Sequence, residues 1–171
     1  MTSQRILAIT QDAALRERLN RLLEEFAKRF DVTFAENRPE AEQALFSENP
    51  DDPALALALV DDTLPDVDEA SFLVRLHREP RTRWAYKVLI LKDPDVDILL
   101  KAVNHGGLDF CFSGEWEDSV FVETVRGLLT EYILDHRTLS TDDKMSYGEV
   151  LESERFLHFV HSSALTSWSN R

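Results

Sequence analysis

The chain has 171 residues, enough for one full domain plus an extension, and 43% of them are hydrophobic, enough to build a real core. A formal charge of −13 argues against nucleic-acid binding, because affinity for a phosphate backbone comes largely from cationic neutralisation, and it disfavours anionic membrane surfaces for the same reason. No apolar stretch reaches membrane-span length, and Met1-Thr2-Ser3-Gln4-Arg5 is not a signal peptide. The single cysteine, Cys111, rules out an intrachain disulfide, and together these features, rather than the cysteine alone, give a reducing cytoplasm as the expected location.

Along the chain, short apolar runs alternate with longer amphipathic stretches. Residues 6–9 read as a buried strand, after which Asp12 can cap a helix bearing Leu15, Leu19, Leu22, Leu23 and Phe26 at helical spacing. Residues 30–35 alternate like a strand, and residues 40–46 form a second helix. The loop Asn49-Pro50-Asp51-Asp52-Pro53 leads to a strand ending at Asp61. Residues 69–78 read as a helix with Phe72, Leu73 and Leu76 on one side, residues 87–91 as a fourth strand, and residues 96–103 as a helix stopping near Gly106-Gly107. A fifth strand over 108–112 and a long closing helix over 117–136 complete the pattern.

Five strands alternating with five helices predict an α/β domain with a parallel sheet covered on both faces, since parallel neighbours need crossover connections. The expected strand order is 2-1-3-4-5, with function at the strand ends beside the first and third strands. Residues 1–136 form this domain. Residues 137–171 are expected to be a linker and an amphipathic helical extension.

Asp61 ends the apolar run Leu57-Ala58-Leu59-Val60 and is followed by Thr63-Leu64-Pro65 and Asp68, which puts a carboxylate on the rim of the sheet. This strand and loop resemble the phosphoacceptor segment of response-regulator receiver domains, where an Asp lies four residues before a Pro. The segment from Gly107 through Leu108-Asp109 to Trp116 resembles a receiver subgroup in which Gly-Leu-Asp leads to Lys-Pro-Trp. The resemblance covers about the first 136 residues and implies a flavodoxin-like (βα)5 fold and a place in two-component signalling or a phosphorelay.

In that family an acidic pair after the first strand joins the phosphoacceptor Asp in holding Mg²⁺, which neutralises the incoming phosphoryl group. The matching residues here are Thr10 and Gln11, both uncharged. Asp12 follows, and reads either as a helix cap or as a displaced metal ligand. The family's hydroxyl after the fourth strand matches Lys92, or Leu91 in a shifted count, and its Lys-Pro pair matches Gly114-Glu115. The aromatic switch position falls on Cys111. The resemblance therefore implies a degenerate, or pseudo-, receiver in which Asp61 keeps the phosphoacceptor position without its usual helpers, and Mg²⁺ binding is expected to be weak.

Two readings of Asp61 stand: a slow phosphoacceptor, or an inherited polar residue in an acidic rim with Asp62, Asp66 and Asp68. Lys92 either pairs with Asp61 across the strand ends or points to solvent. Cys111, between Phe110 and Phe112, reads as a small buried hydrophobe, and His158 and His161 as surface residues without a third ligand. No nucleophile–base constellation argues for an enzyme. A flavin-type ligand has poor support, because no phosphate-cradling loop follows the first strand, so no cofactor is expected. The expected partners are proteins, a signalling kinase or an output protein.

Beyond the polar stretch 138–143, Tyr147, Val150, Leu151, Phe156, Leu157, Phe159 and Val160 form an amphipathic pattern. So much apolar surface should be covered. The preferred expectation is a homodimer that shares Phe121, Val125, Leu128 and Tyr132 of the closing helix, and the alternative is packing back onto the same domain.

Overall fold

The computed structural model describes residues 3–61, 69–93 and 95–169, with only the backbone course for 69–71 and 163–169. Thr63-Leu64-Pro65 and the acidic rim of Asp62, Asp66 and Asp68 lie outside the described residues. The strands are β1 (Gln4–Ile9), β2 (Phe30–Ala35), β3 (Ala54–Asp61), β4 (Tyr86–Leu91) and β5 (Phe110–Ser113). They form one parallel sheet in the order β2-β1-β3-β4-β5, as the alternation predicts.

The helices are α1 (Ala13–Leu22), α2 (Arg38–Leu45), α3 (Glu69–Arg78), α4 (Val96–Gly106), α5 (Asp118–Asp135), α6 (Thr141–Ser146) and α7 (Ser153–Ser169). Their ends follow from local chemistry. Asn37 and Asp95 cap α2 and α4 by accepting hydrogen bonds from first-turn amides. Gly107 ends α4 at φ 62°, a left-handed conformation, and a β-carbon there would lie 2.5 Å from Nδ1 of His77. Several boundaries shift by a few residues, those of α1 and β5 among them. The α1 helix stops at Leu22, and Phe26 sits in a short 3-10 turn, still buried. The β5 strand starts at Phe110 rather than 108, because Leu108 closes the α4 turn on Ala102 and the Asp109 carboxylate accepts from the Lys87 amide at 2.8 Å.

Alternation along each strand divides the core into two layers. Ile6, Ala8, Leu57, Leu59, Val88 and Phe112 pack on the side of α1 and α5. Leu7, Ile9, Ala58, Val60, Leu89 and Leu91 pack on the other side, with residues of α2, α3 and α4.

The closing segment differs from the preferred expectation. Phe121, Val125 and Tyr132 of α5 are core residues, not an outward surface, and only Leu128 among the four stays half-buried. The extension packs back onto the same domain: Tyr147, Val150, Leu151 and Phe156 join the α1/α5 layer, with Tyr147 fully buried and its ring 4.9 Å from that of Phe30. Polar links hold it as well. Arg126 donates to the Val150 carbonyl at 2.9 Å, Arg29 pairs with Glu149 at 2.6 Å, and the nearly buried Lys144 donates to the Leu134 carbonyl at 2.7 Å. Most of the apolar face of the extension thus finds its partner within the chain, against β2 and α5. Leu157 remains exposed.

Candidate functional site at the carboxyl rim of the sheet

Register brings the site together. Ile9 of β1 lies opposite Val60 of β3, so the next residues, Thr10 and Asp61, meet at the carboxyl rim of the two central strands. This is the point where the chain switches direction across the sheet. Both residues are buried, Asp61 being 2% exposed. The Thr10 hydroxyl donates to Oδ2 of Asp61 at 2.6 Å. The Thr10 hydroxyl oxygen in turn accepts from the Asp12 backbone amide at 3.0 Å, and the Thr10 amide is fixed on the Ala35 carbonyl at 3.0 Å.

Asp12 is the cap of α1. Its Oδ1 accepts from the amides of Ala14 and Leu15 at 2.9 and 3.1 Å, so the carboxylate serves the first turn of the helix. Gln11 is exposed. The helix cap, Thr10 and Asp61 therefore form one hydrogen-bonded chain. Sequence reading singled out Thr10 for the charge it lacks, and missed that its hydroxyl grips Asp61. The clue was the register of two buried strands ending one residue apart.

The remaining positions carry little of the family's chemistry. Lys92 is exposed, one residue beyond the end of β4, while Leu91 is buried. Gly114 has φ 66°, donates its amide to the Leu91 carbonyl at 3.0 Å, and faces open space where a β-carbon would begin. Among the described residues no peptide bond is cis. Cys111 is half-buried beside the α4 layer, and His158 and His161 are exposed.

The segment after Gly114 is held in another way. The Arg18 guanidinium lies 3.6 Å over the Trp116 ring and donates to the Trp116 carbonyl at 2.8 Å and to Asp118 at 2.8 Å. Trp116 also stacks on Phe121 at 5.0 Å. This clamp between α1 and the start of α5 was not visible in the sequence, where Arg18 looks like any exposed helical charge.

Mg²⁺ requires several hard, charged oxygens at near-ideal geometry. Beside Asp61 stand a threonine hydroxyl already donating to the carboxylate and a neutral, outward glutamine. Among the described residues no cluster of three potential metal ligands occurs. These residues do not fit the ion. The arrangement holds a carboxylate in place by a short neutral donor and offers no cation built to stabilise a transferring phosphoryl group at the Thr10, Gln11 or Gly114 positions.

No protein-family model and no curated protein matches the sequence. Solved structures do match. The signal receiver domain of an HD domain-containing protein from Pseudomonas fluorescens Pf-5 superposes with a TM-score of 0.68 at 24% identity, over 81% of this chain and 96% of that one. A CheY-like response regulator receiver domain protein from Methanospirillum hungatei JF-1 gives 0.62 at 21%, over 76% and 96%. The beryllofluoride-activated NtrC4 receiver domain dimer gives 0.60 at 20%, over 75% and 98%. The fold is that of the response-regulator receiver domains.

Proposed function

We propose that this receiver-fold domain is a protein-interaction module of two-component-type signalling, controlled by its partners rather than by normal Mg²⁺-dependent phosphorylation of Asp61. One observation carries the reading: the Thr10 hydroxyl, standing where the family has a metal-binding acid, donates to Asp61 at 2.6 Å. Phosphoryl transfer depends almost wholly on positioning and charge stabilisation, so a site with a neutral donor in place of the acid and glycine in place of the lysine lacks most of its driving terms. The domain is not an enzyme in this reading. Among the described residues no helix is long and apolar enough to cross a membrane, and the module is proposed to work in the cytoplasm.

Self-association belongs to the same proposal. Val96, Leu100 and Val103 form an exposed apolar stripe on α4, the helix that leads into the edge strand β5. We assign this face to a second copy of the chain, supported by the receiver neighbour solved as a dimer. Sedimentation of the wild type against Leu100→Glu tests it: the variant should sediment as a monomer at concentrations where the wild type does not.

The competing reading is a working receiver, favoured by the retention of a buried carboxylate at the switch point. Radiolabelled acetyl phosphate with Mg²⁺, beside an Asp61→Asn control, separates the two. The interaction-module reading expects equal labelling of both proteins, whereas stoichiometric labelling lost in the control would overturn it.

A further inference from the structure

At the opposite end of the sheet from Asp61, the turn between α3 and β4 carries a concentration of positive charge that the overall balance of −13 conceals. Residues 75–84 contain Arg75, His77, Arg78, Arg81 and Arg83 against the single acid Glu79, and they end in Trp84. Elsewhere arginines are neutralised by ion pairs. Among the described residues only Arg78, Arg81, Arg83 and Arg137 have no carboxylate within 4 Å. Three of these four belong to this turn. The fourth, Arg137, lines the same 610 Å³ cleft as Trp84, together with Tyr86, Tyr132 and His136. Trp84 is 79% exposed.

The turn is rigid. The buried Thr82 hydroxyl donates to the Leu76 carbonyl at 2.7 Å, and the amides of Thr82, Arg83 and Ala85 close successive turns on Glu79, Glu79 and Thr82. From beneath, the buried Lys87 ammonium donates to the carbonyls of Ala85 at 2.7 Å and Arg83 at 3.2 Å. Arg81 is steadied by donating to the Ser47 carbonyl at 2.6 Å. A set of cations and an exposed indole is thus displayed on a backbone that is already pinned before binding.

We propose that this surface docks an acidic protein segment, with its carboxylates on Arg78, Arg83 and Arg137 and an apolar or aromatic side chain in the cleft against Trp84. Unpaired guanidiniums favour carboxylates in bidentate geometry, and an exposed Trp beside a cleft is a typical anchor site. One acid, Asp135, lines the cleft, and a second, Glu131, contacts its Tyr86. Glu131 is engaged by the Tyr86 hydroxyl at 3.2 Å and by Arg155 at 3.8 Å, while Asp135 lines the wall and opposes an acidic ligand. A nucleic acid or an anionic bilayer would extend beyond the turn onto a surface with a large excess of negative charge. A short acidic peptide meets only the basic turn. The proposal adds a partner site far from Asp61 and does not depend on the phosphorylation state of that residue.

The test is fluorescence anisotropy with a labelled peptide rich in Asp and Glu that carries one Phe, run beside a labelled single-stranded oligonucleotide and phosphatidylserine vesicles. Salt-sensitive binding of the peptide is expected, weakened about tenfold or more by the pair Arg78→Glu and Arg83→Glu and also by Trp84→Ala, and tightened by Asp135→Asn. Circular dichroism should show these surface variants folded like the wild type. Absence of peptide binding, binding indifferent to the arginine and tryptophan changes, or tighter binding of the oligonucleotide or vesicles would overturn the proposal.

Discussion

The two ends of the sheet have opposite characters. At the carboxyl rim Asp61 lies buried at the switch point, and its contact to the first strand is a neutral hydroxyl at 2.6 Å. At the amino end, the extension brings Tyr147, Val150, Leu151 and Phe156 into the α1/α5 core, and the basic turn before β4 lies at this end too. The contrast shows that one fold can vary the residues at its strand ends while adding packing and surface charge elsewhere. Strand order and register depend on apolar alternation, which does not involve the rim residues at all.

The largest effect expected from this contrast is at the packed end. Tyr147→Ala should lower the free energy of unfolding by about 3–5 kcal/mol, because a fully buried ring against Phe30 is replaced by a cavity. Urea denaturation measures it, and ending the chain at Arg137 should cost more still. An unchanged midpoint in both would mean that the extension is not part of the core.

Next comes the rim. Thr10→Ala removes the donor to a buried carboxylate and should destabilise by about 1–3 kcal/mol without any gain in labelling by acetyl phosphate. Thr10→Asp with Gln11→Asp restores the acidic pair and should produce Mg²⁺-dependent chemical-shift changes near Asp61 that the wild type lacks. A clear Mg²⁺ response in the wild type would remove the distinction between the two ends.

A smaller effect appears in alkali. Burial, followed by the neighbouring Glu131 carboxylate, pushes the Tyr86 phenol up from 10.0 to about 12. A pKa raised on folding means that the native state holds this proton more tightly than the unfolded chain. The contribution is complete below pH 10 and is lost as the pH rises from 10 toward 12. The urea midpoint should fall across that window, and less steeply in Tyr86→Phe.

The smallest effect concerns the ion pair proposed between Lys92 and Asp61. Lys92→Thr should reduce stability by about 0–1 kcal/mol, as for an exposed charge at the rim, and should not restore phosphorylation alone. An Asp61→Asn/Lys92→Thr double-mutant cycle with zero coupling energy would dismiss the pair.

Much of the architecture was legible in the residues. The apolar run Leu57-Ala58-Leu59-Val60 announced a buried strand, Asp12 announced a helix start, and Gly106-Gly107 a helix stop, because each reflects a local backbone preference. The site was half-legible. Thr10, Gln11 and Gly114 could be matched to family positions by residue order, yet the grip of Thr10 on Asp61 and the Arg18–Trp116 clamp join residues far apart in the chain, and no local pattern encodes such pairs.

The closing helix shows where local information ends. Amphipathic spacing in residues 145–160 required that an apolar face be covered, but spacing contains no term for what covers it. Phe121, Val125 and Tyr132 face the same ambiguity, since a helix with apolar residues on much of its circumference can meet a partner or its own chain. Strand order, element type and the uncharged residues at Thr10, Gln11 and Gly114 follow from residue identity and short-range periodicity. The sealing of the amino end by the extension, the side-by-side placement of Thr10 and Asp61, and the gathering of unpaired arginines around Trp84 required the full three-dimensional packing, because they depend on which distant surfaces exclude water together.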